Sequence, residues 1–450
     1  MDKKEFIELL FTQGKQAGFE DMEVYISSSN ELEIMVFKGE ISNYSISDEE
    51  GLSFRGLYNG KMGYSYTEKI DKSSIELLIN EAIDNSKIID SNDEEYIFQG
   101  SDKYEQVNNY NEKSEAVPTE NKIDFVMKME EEGLRIDNRV DTIGYCLLSD
   151  SNNSTMIVNT KGLNLESKSN QYIAYISAVI KEDDDVKTGA KYEITNCFND
   201  LNGKTLAKHA IDEGISMLGA KSIESGDYPV ILRGDVSANI LKTFAVIFSA
   251  DNVNKDVSLL KGKVSKQVAS PIVTLVDDPF MENGVFTRAF DAEGVASQKK
   301  KVINKGILTT YLHNLKTANK DNIQSTGNAY KSSYKSPIDI APTNMYIEKG
   351  DVSFDDMVKS IEKGLIIINV QGLHSGLNTI SGDFSLSAYG YEIIDGEINR
   401  PVNQITISGN YFNLLKDIEQ ISDDLKFTMP GYGYIGSPSI KIKSLSVAGE

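Results

Sequence analysis

Two kinds of hydrophobic spacing alternate along the first half of the chain. Residues 21–67 read DMEVYISSSNELEIMVFKGEISNYSISDEEGLSFRGLYNGKMGYSYT. Apolar and polar positions alternate there, with β-branched and aromatic enrichment, and KGE, DEEG and YNGK supply turn residues. The pattern predicts antiparallel strands joined by tight turns. The spacing then changes. SSIELLINEAIDNSKII brings Ile75, Leu78, Ala82 and Ile83 to one helix face behind a serine cap. Both spacings recur. Residues 143–194 alternate again, with breaks expected at SDSNNS, TKG and KEDDD, and GKTLAKHAIDEGISMLGA follows as a helix. A helix leads each copy, KKEFIELLFTQGKQAG in the first and TENKIDFVMKMEEEGLRI in the second. A unit of helix, antiparallel strands and helix therefore occurs twice, over 1–98 and 119–222, as a repeat of pattern rather than of identity. Residues 99–118, QGSDKYEQVNNYNEKSEAVP, are expected to connect the copies as a loop with little core content.

The second half, 226–450, is patterned differently. A strand, YPVILRG, leads into DVSANILKTFAVIFSADN, expected as a capped helix with Ile240, Leu241, Phe244, Ile247 and Phe248 as its buried stripe. Short apolar runs separated by Gly, Asn, Asp and Pro follow. Helices are expected at SFDDMVKSIEKG, capped by Ser353, and at YFNLLKDIEQISDDL, and the chain closes on the strand PSIKIKSLSVAG. The fold class read from these patterns is α+β: duplicated helix and antiparallel-sheet units, then a mostly antiparallel β domain, barrel- or sandwich-like, with a few helices.

Composition narrows the function classes. The chain has 450 residues, 40% apolar and 25% charged, ordinary for a globular protein. No run of about 18 apolar residues occurs, so no membrane span is expected. The first twenty residues lack the apolar core and cleavage site of a leader, so a cytoplasmic location is expected. The formal charge of −22 would repel a phosphate backbone, which argues against direct nucleic-acid binding. The densest basic cluster, KKKVINK at 299–305, is expected to be a solvated edge strand. Cys146 and Cys197 stand outside any CxxC pair and read as small buried hydrophobes.

The three histidines, His209, His313 and His374, lie too far apart in sequence for any local His-pair metal motif. His209 falls on the solvent side of its helix. His313 alternates with Tyr311, either as a strand-end histidine or projecting into a groove. Ser375 follows His374 directly, poor geometry for a nucleophile and its base, since adjacent strand residues point apart. Asp277 and Asp278 could form an acid/base pair only if one were buried; before Pro279 they read first as a strand ending in a turn. GYGYIG at 431–436 lacks the following helix of a phosphate loop. The glycine-rich segment 371–390, QGLHSGLNTISGDFSLSAYG, remains. Its His374, Ser375, Asn378, Ser381 and Asp383, with His313, are the candidate peptide-binding residues, set against a reading as turn chemistry alone.

The stretch GLHSGLNTISGDFSLSAYGYEIIDGEINRPVNQITISGN resembles the C-terminal signature of the TldD/PmbA family, in its PmbA or TldE branch. YPVILRGDV, KVSKQVASPIVTLVDDP, FDAEGVASQKKKVINKGILTTYLHNLKTA, STGNAY and GSPSIKIKSLSVAG agree with it in order. The resemblance implies a cytoplasmic heterodimeric metalloprotease that processes extended peptides, including peptide-antibiotic precursors and antitoxins. An older family label is modulator of DNA gyrase. In the TldD-type subunit, HExxxH and a downstream Cys bind zinc, and the Glu is the general base. Here LKTFAV puts Leu241, Lys242 and Val246 at those positions, and FTMPGYGYIGSPS, 427–439, holds no cysteine. The resemblance thus implies a metal-free, non-catalytic subunit that binds extended peptide beside a zinc-bearing TldD-type partner. Three rivals stay open: a standalone homodimeric peptide-binding protein, a regulator of a gyrase-linked protein, and a hydrolase built on Asp277 and Asp278.

Overall fold

The computed structural model describes residues 2–88 and 93–450. Six strands of the first half form one antiparallel sheet: β1 (Met22–Phe37), β2 (Glu40–Tyr58), β3 (Lys61–Thr67), β4 (Val140–Asn159), β5 (Asn164–Glu182) and β6 (Asp185–Thr195). Their order is β3-β2-β1-β4-β5-β6. The two sequence units are therefore halves of one sheet, joined where β1 pairs with β4 from Glu23↔Asn159 to Met35↔Leu147. Helices Lys3–Ala17 and Ile75–Ile88 cover the first half, and Thr119–Ile136 and Gly203–Ser216 the second. Each pair seals its own apolar cluster, with Phe6, Leu10, Leu52, Phe54 and Leu78 in one, and Val126, Met129, Ile176, Ala207 and Ile211 in the other. The YNGK hairpin forms as its sequence predicts, with Asn59 and Gly60 at φ 50° and 72°.

Two expected breaks are absent. β2 runs unbroken through DEEG, and β4 runs unbroken through SDSNNS. Ser151 pairs with Glu31 on one side and Gln171 on the other, so two flanking strands override the local turn preference. Gly51 of DEEG serves close approach instead: a Cβ there would stand 2.3 Å from the Tyr334 ring.

In the second half, strands Gly226–Leu232, Lys363–Gln371, Asp383–Ile394, Glu397–Asn410 and Ile440–Ala448 close into a five-stranded barrel. Closure is made by Thr406–Ser408 pairing with Ser446–Ala448, and one junction, Leu365–Ile367 against Val230–Leu232, is parallel. Phe384, Leu386 and Ala388 alternate inward to a core that also holds Ile240, Leu241 and Phe244 of helix Gly234–Phe244. A second sheet carries Leu275–Asp277, Lys300–Asn304, Asn344–Ile347 and Tyr434–Ser437.

Three boundaries differ from expectation. The helix expected over 235–252 divides into Gly234–Phe244, a 3-10 turn Ala245–Phe248, and Ala250–Asn254. YFNLLK ends as a helix at Lys416, because Ile418–Ile421 pairs with Ile440–Ile442 and buries both isoleucines in the barrel core. The basic cluster is not a solvated edge. Lys300 reaches the buried Asp277 at 3.0 Å and Lys299 reaches Asp278 at 2.7 Å, and the outer edge belongs to Ile307–Leu308.

Candidate functional site

Helix Gly234–Phe244 and the turn after it carry the segment at which the resemblance places a zinc motif in TldD-type chains. Leu241 is 2% exposed and points into the barrel core. Lys242 is half-buried, and its ammonium donates to the Met429 carbonyl at 2.8 Å. A Cβ on Gly431 would come within 3.2 Å of the same nitrogen, so the lysine head closes against the loop from both sides. Burial holds the Lys242 pKa below its ordinary value. Val246 lies in the 3-10 turn, where its carbonyl accepts from the Asn252 side chain at 2.8 Å. Two apolar side chains and one cation offer no electron pair to a metal. Among the described residues, no three His, Cys, Asp or Glu side chains meet in a set that could hold an ion. Zinc does not fit the residues at this position.

The glycine-rich segment lies elsewhere, linking barrel strands Lys363–Gln371 and Asp383–Ile394. The Asn378 carboxamide accepts from the Ile380 and Ser381 backbone N–H groups at 2.9 and 3.1 Å. The Ser381 hydroxyl accepts from Asp383 N–H at 3.3 Å, and Asp383 accepts from the Asn410 amide at 2.9 Å. These side chains shape the loop itself. His374 and Ser375 are exposed at its tip. His313 is 1% exposed, with its Nδ1 lacking a hydrogen bond and 3.9 Å from Asp321. Burial pushes its pKa down, against the pull of Asp321. His209 is exposed. None of His313, His374, Ser375, Asn378, Ser381 and Asp383 lines the large cleft described next.

That cleft, about 470 Å³, opens between the uncovered face of the first-half sheet and the second half of the chain. Cross-strand register builds its floor. Glu49, Ser29, Asn153 and Ser169 form one row, and Gly51, Ser27, Thr155 and Ser167 the next. Small hydroxyls at these positions leave room above the sheet and donors pointing into it. Asn153 and Ser154 of SDSNNS, out of place as a turn, are part of this floor. Residues 285–292 and 330–334 form the facing wall, including Arg288, Tyr330, Lys331 and Tyr334. The connecting segment also takes part. Asn109 donates to the carbonyl of Val285 at 3.1 Å, and Tyr104 to that of Gly294 at 2.8 Å.

One end of the cleft rests on a buried charged network. Arg55 donates through Nε to Glu23 at 2.8 Å and lies 3.4 Å from Glu293. Asn159 donates to Glu23 at 3.1 Å, and Leu315 N–H to Glu293 at 2.7 Å. Burial pushes the Glu293 carboxyl up to about 7, with Arg55 opposing and Asp291 assisting. Lys331 donates to Ser53 at 2.8 Å and stands 5.1 Å from the Tyr25 ring centre. Burial, then the field of Arg55, brings its pKa down to about 7. Sequence reading passed over Tyr25, Arg55, Arg288, Glu293 and Lys331. Glu23 and Arg55 alternate with apolar neighbours as solvated strand residues do. Only the second half of the chain, folded over this face, makes them interior.

Asp277 is also buried, but it is fully engaged. It accepts from Thr343 N–H at 2.6 Å, the Thr343 hydroxyl at 2.7 Å, Asn328 at 2.8 Å and Lys300 at 3.0 Å. Burial works to raise its pKa, and these partners outweigh it and hold the carboxyl low. A carboxylate so held is not a proton donor near neutrality.

Comparison with known proteins agrees with this architecture. Residues 225–449 match the PmbA/TldA metallopeptidase C-terminal domain, residues 22–86 match domain 1 of that family and residues 112–218 its central domain. A Thermotoga maritima protein, proposed as a modulator of a DNA gyrase, superposes with a TM-score of 0.92 and 32% identity, over 99% of this chain and all of that one. A metalloprotease of Methanocaldococcus jannaschii is 26% identical over 96% of this chain and 94% of its own length. TldE from Thermococcus kodakarensis, 21% identical, shares the fold with a TM-score of 0.90 over 99% and 100% of the two chains. The protein is a member of the PmbA/TldD metallopeptidase family.

Proposed function

We propose that this chain is the metal-free, PmbA/TldE-type half of a two-subunit peptidase. It holds extended peptide and completes an assembly whose zinc and general base belong to a TldD-type partner. The observation that carries this reading is Lys242, fixed to the Met429 carbonyl where a TldD-type chain would carry its catalytic Glu. Leu241 beside it has become core. The hydroxyl-lined cleft is the proposed peptide site, since an extended chain needs backbone partners and little side-chain volume. The cytoplasm is the compartment this reading assigns. The test is a tagged pull-down from the native cell, followed by zinc analysis and peptide-cleavage assays on each chain and on the pair. A stoichiometric partner carrying HExxxH, with zinc and cleavage only in the pair, is the expected result. Stoichiometric zinc and chelator-sensitive cleavage by the isolated chain would overturn it.

A second reading is a standalone homodimeric peptide-binding protein. It expects peptide affinity without turnover, and only copies of this chain in the pull-down.

A further inference from the structure

Arg288 is the one arginine lining the cleft, and its Nε and Nη2 are buried without hydrogen-bond partners among the described residues. Buried guanidinium donors are seldom left unpaired, because desolvation without a partner costs free energy. The nearest acid in sequence does not supply the missing bonds. Asp291 spends one oxygen on the Glu293 and Val295 N–H groups, at 2.9 and 3.0 Å, and the other on Ala329 N–H at 3.0 Å. Glu49 lines the cleft from the far strand and makes no ion pair with Arg288 among the described residues. Around the guanidinium stand Tyr25 and Tyr330, and the floor carries Ser27 and Thr155. A planar fork with open donors, flanked by phenols and hydroxyls in a cleft of about 470 Å³, suits a planar or tetrahedral oxyanion, and the oxyanion an unmodified peptide carries is a carboxylate.

We infer that Arg288 anchors a carboxylate of the bound peptide, either its C-terminal group or an acidic side chain. This rests on the peptide reading above and deepens it by naming the group that is held; where that group is the C-terminus, the direction of the bound chain is set with it. The long-range field of a chain with net charge −22 disfavours anionic peptides, so selection at this site is by local contact.

The test uses the full-length chain, alone and as purified with any partner it retains. Three decapeptide mixtures, labelled with dansyl, which carries no carboxylate, are titrated by anisotropy: one free of Asp and Glu with a C-terminal carboxylate, the same mixture amidated, and an amidated mixture with one internal Glu. The free acid is expected to bind about ten-fold tighter than the amide. That ratio collapses toward one in Arg288→Gln and recovers in part in Arg288→Lys, which keeps the charge without the fork. If the internal-Glu mixture matches the free acid, the anchor takes either carboxylate; if it matches the amide, the anchor takes C-termini alone; if it alone binds tighter, with acid and amide equal, the anchor takes side chains alone. Equal binding of all three mixtures by the unaltered chain overturns the anchor and leaves the peptide reading standing. No binding of any mixture by either preparation overturns both. The acid–amide comparison on the unaltered chain needs no variant to fold.

Discussion

Lys242 donates its ammonium to the carbonyl of Met429, 2.8 Å away, and so ties the helix Gly234–Phe244 to the loop before strand Tyr434–Ser437. The bond makes a structural strut of Lys242, which stands where the resemblance to the family places the general base of TldD-type chains. Lys242→Met keeps the stem and removes the bond. It is expected to cost about 1 kcal/mol in urea unfolding, since the half-buried carbonyl regains water. Leu241→His, which puts an imidazole into the barrel core, is expected to cost about 2–4 kcal/mol. A Leu241→His chain as stable as its parent would show that the motif position is not committed to packing.

Gly63 and Gly189 occupy equivalent places in the two halves of the first sheet. A Cβ on either would stand 1.9 Å from a helix carbonyl, that of Ala82 or of Ala210. Each helix backbone therefore rests directly on its outer strand. Gly63→Ala and Gly189→Ala should each destabilise by about 2–4 kcal/mol, because backbone on both sides must shift. Chemical denaturation of the two single variants checks this, and a loss below about 0.5 kcal/mol in either would deny the equivalence.

How much of this was legible follows from which forces are local. The hairpin at Asn59–Gly60, the alternation of β1 and β5, and the stripe Ile240, Leu241 and Phe244 are set by neighbours in sequence, and they read correctly. DEEG and SDSNNS did not, because their turn preference is outweighed by the strands they pair with, and Glu49, Asn153 and Ser154 among them line the cleft. Barrel closure through Thr406↔Ala448 is a long-range pairing with no local signature. The cleft was the least legible feature. It joins Ser27, Ser167, Arg288 and Tyr330, residues from both halves of the chain, whereas the glycine-rich segment advertised itself by composition and proved to hydrogen-bond mainly to its own turn.

Asp277 distinguishes structural from chemical use of a buried acid. Removing it orphans the Lys300 ammonium, the Asn328 amide and two donors of Thr343. Asp277→Ala is expected to cost about 3–5 kcal/mol. Any peptidase activity of the assembled complex, expressed per folded molecule, should be unchanged. A stable but inactive Asp277→Ala complex would instead revive a hydrolase built on this carboxylate.

Glu293 and Lys331 give stability a pH dependence whose sign can be worked out. Burial raises Glu293 from 4.5 to about 7, so the folded chain binds the extra proton between those values. Its contribution is full below about 4.5 and is lost as pH rises through 7. Burial lowers Lys331 from 10.5 to about 7, so between 7 and 10.5 the unfolded chain binds the extra proton, and stability climbs with pH. The two contributions together place a minimum near neutrality, each slope bounded at about 1.4 kcal/mol per pH unit. Arg55, Glu23 and Asp291 act on Glu293, and Arg55 and Glu23 on Lys331, so the limbs are coupled. Lys331→Met should flatten the alkaline limb and raise stability at pH 7. Glu293→Gln should flatten the limb between about 4.5 and 7. Urea unfolding from pH 5 to 10 on the parent and both variants resolves the limbs. A parent curve that rises from pH 5 to 7, or an alkaline limb intact in Lys331→Met, would mean that these two groups do not titrate inside the fold as their burial requires.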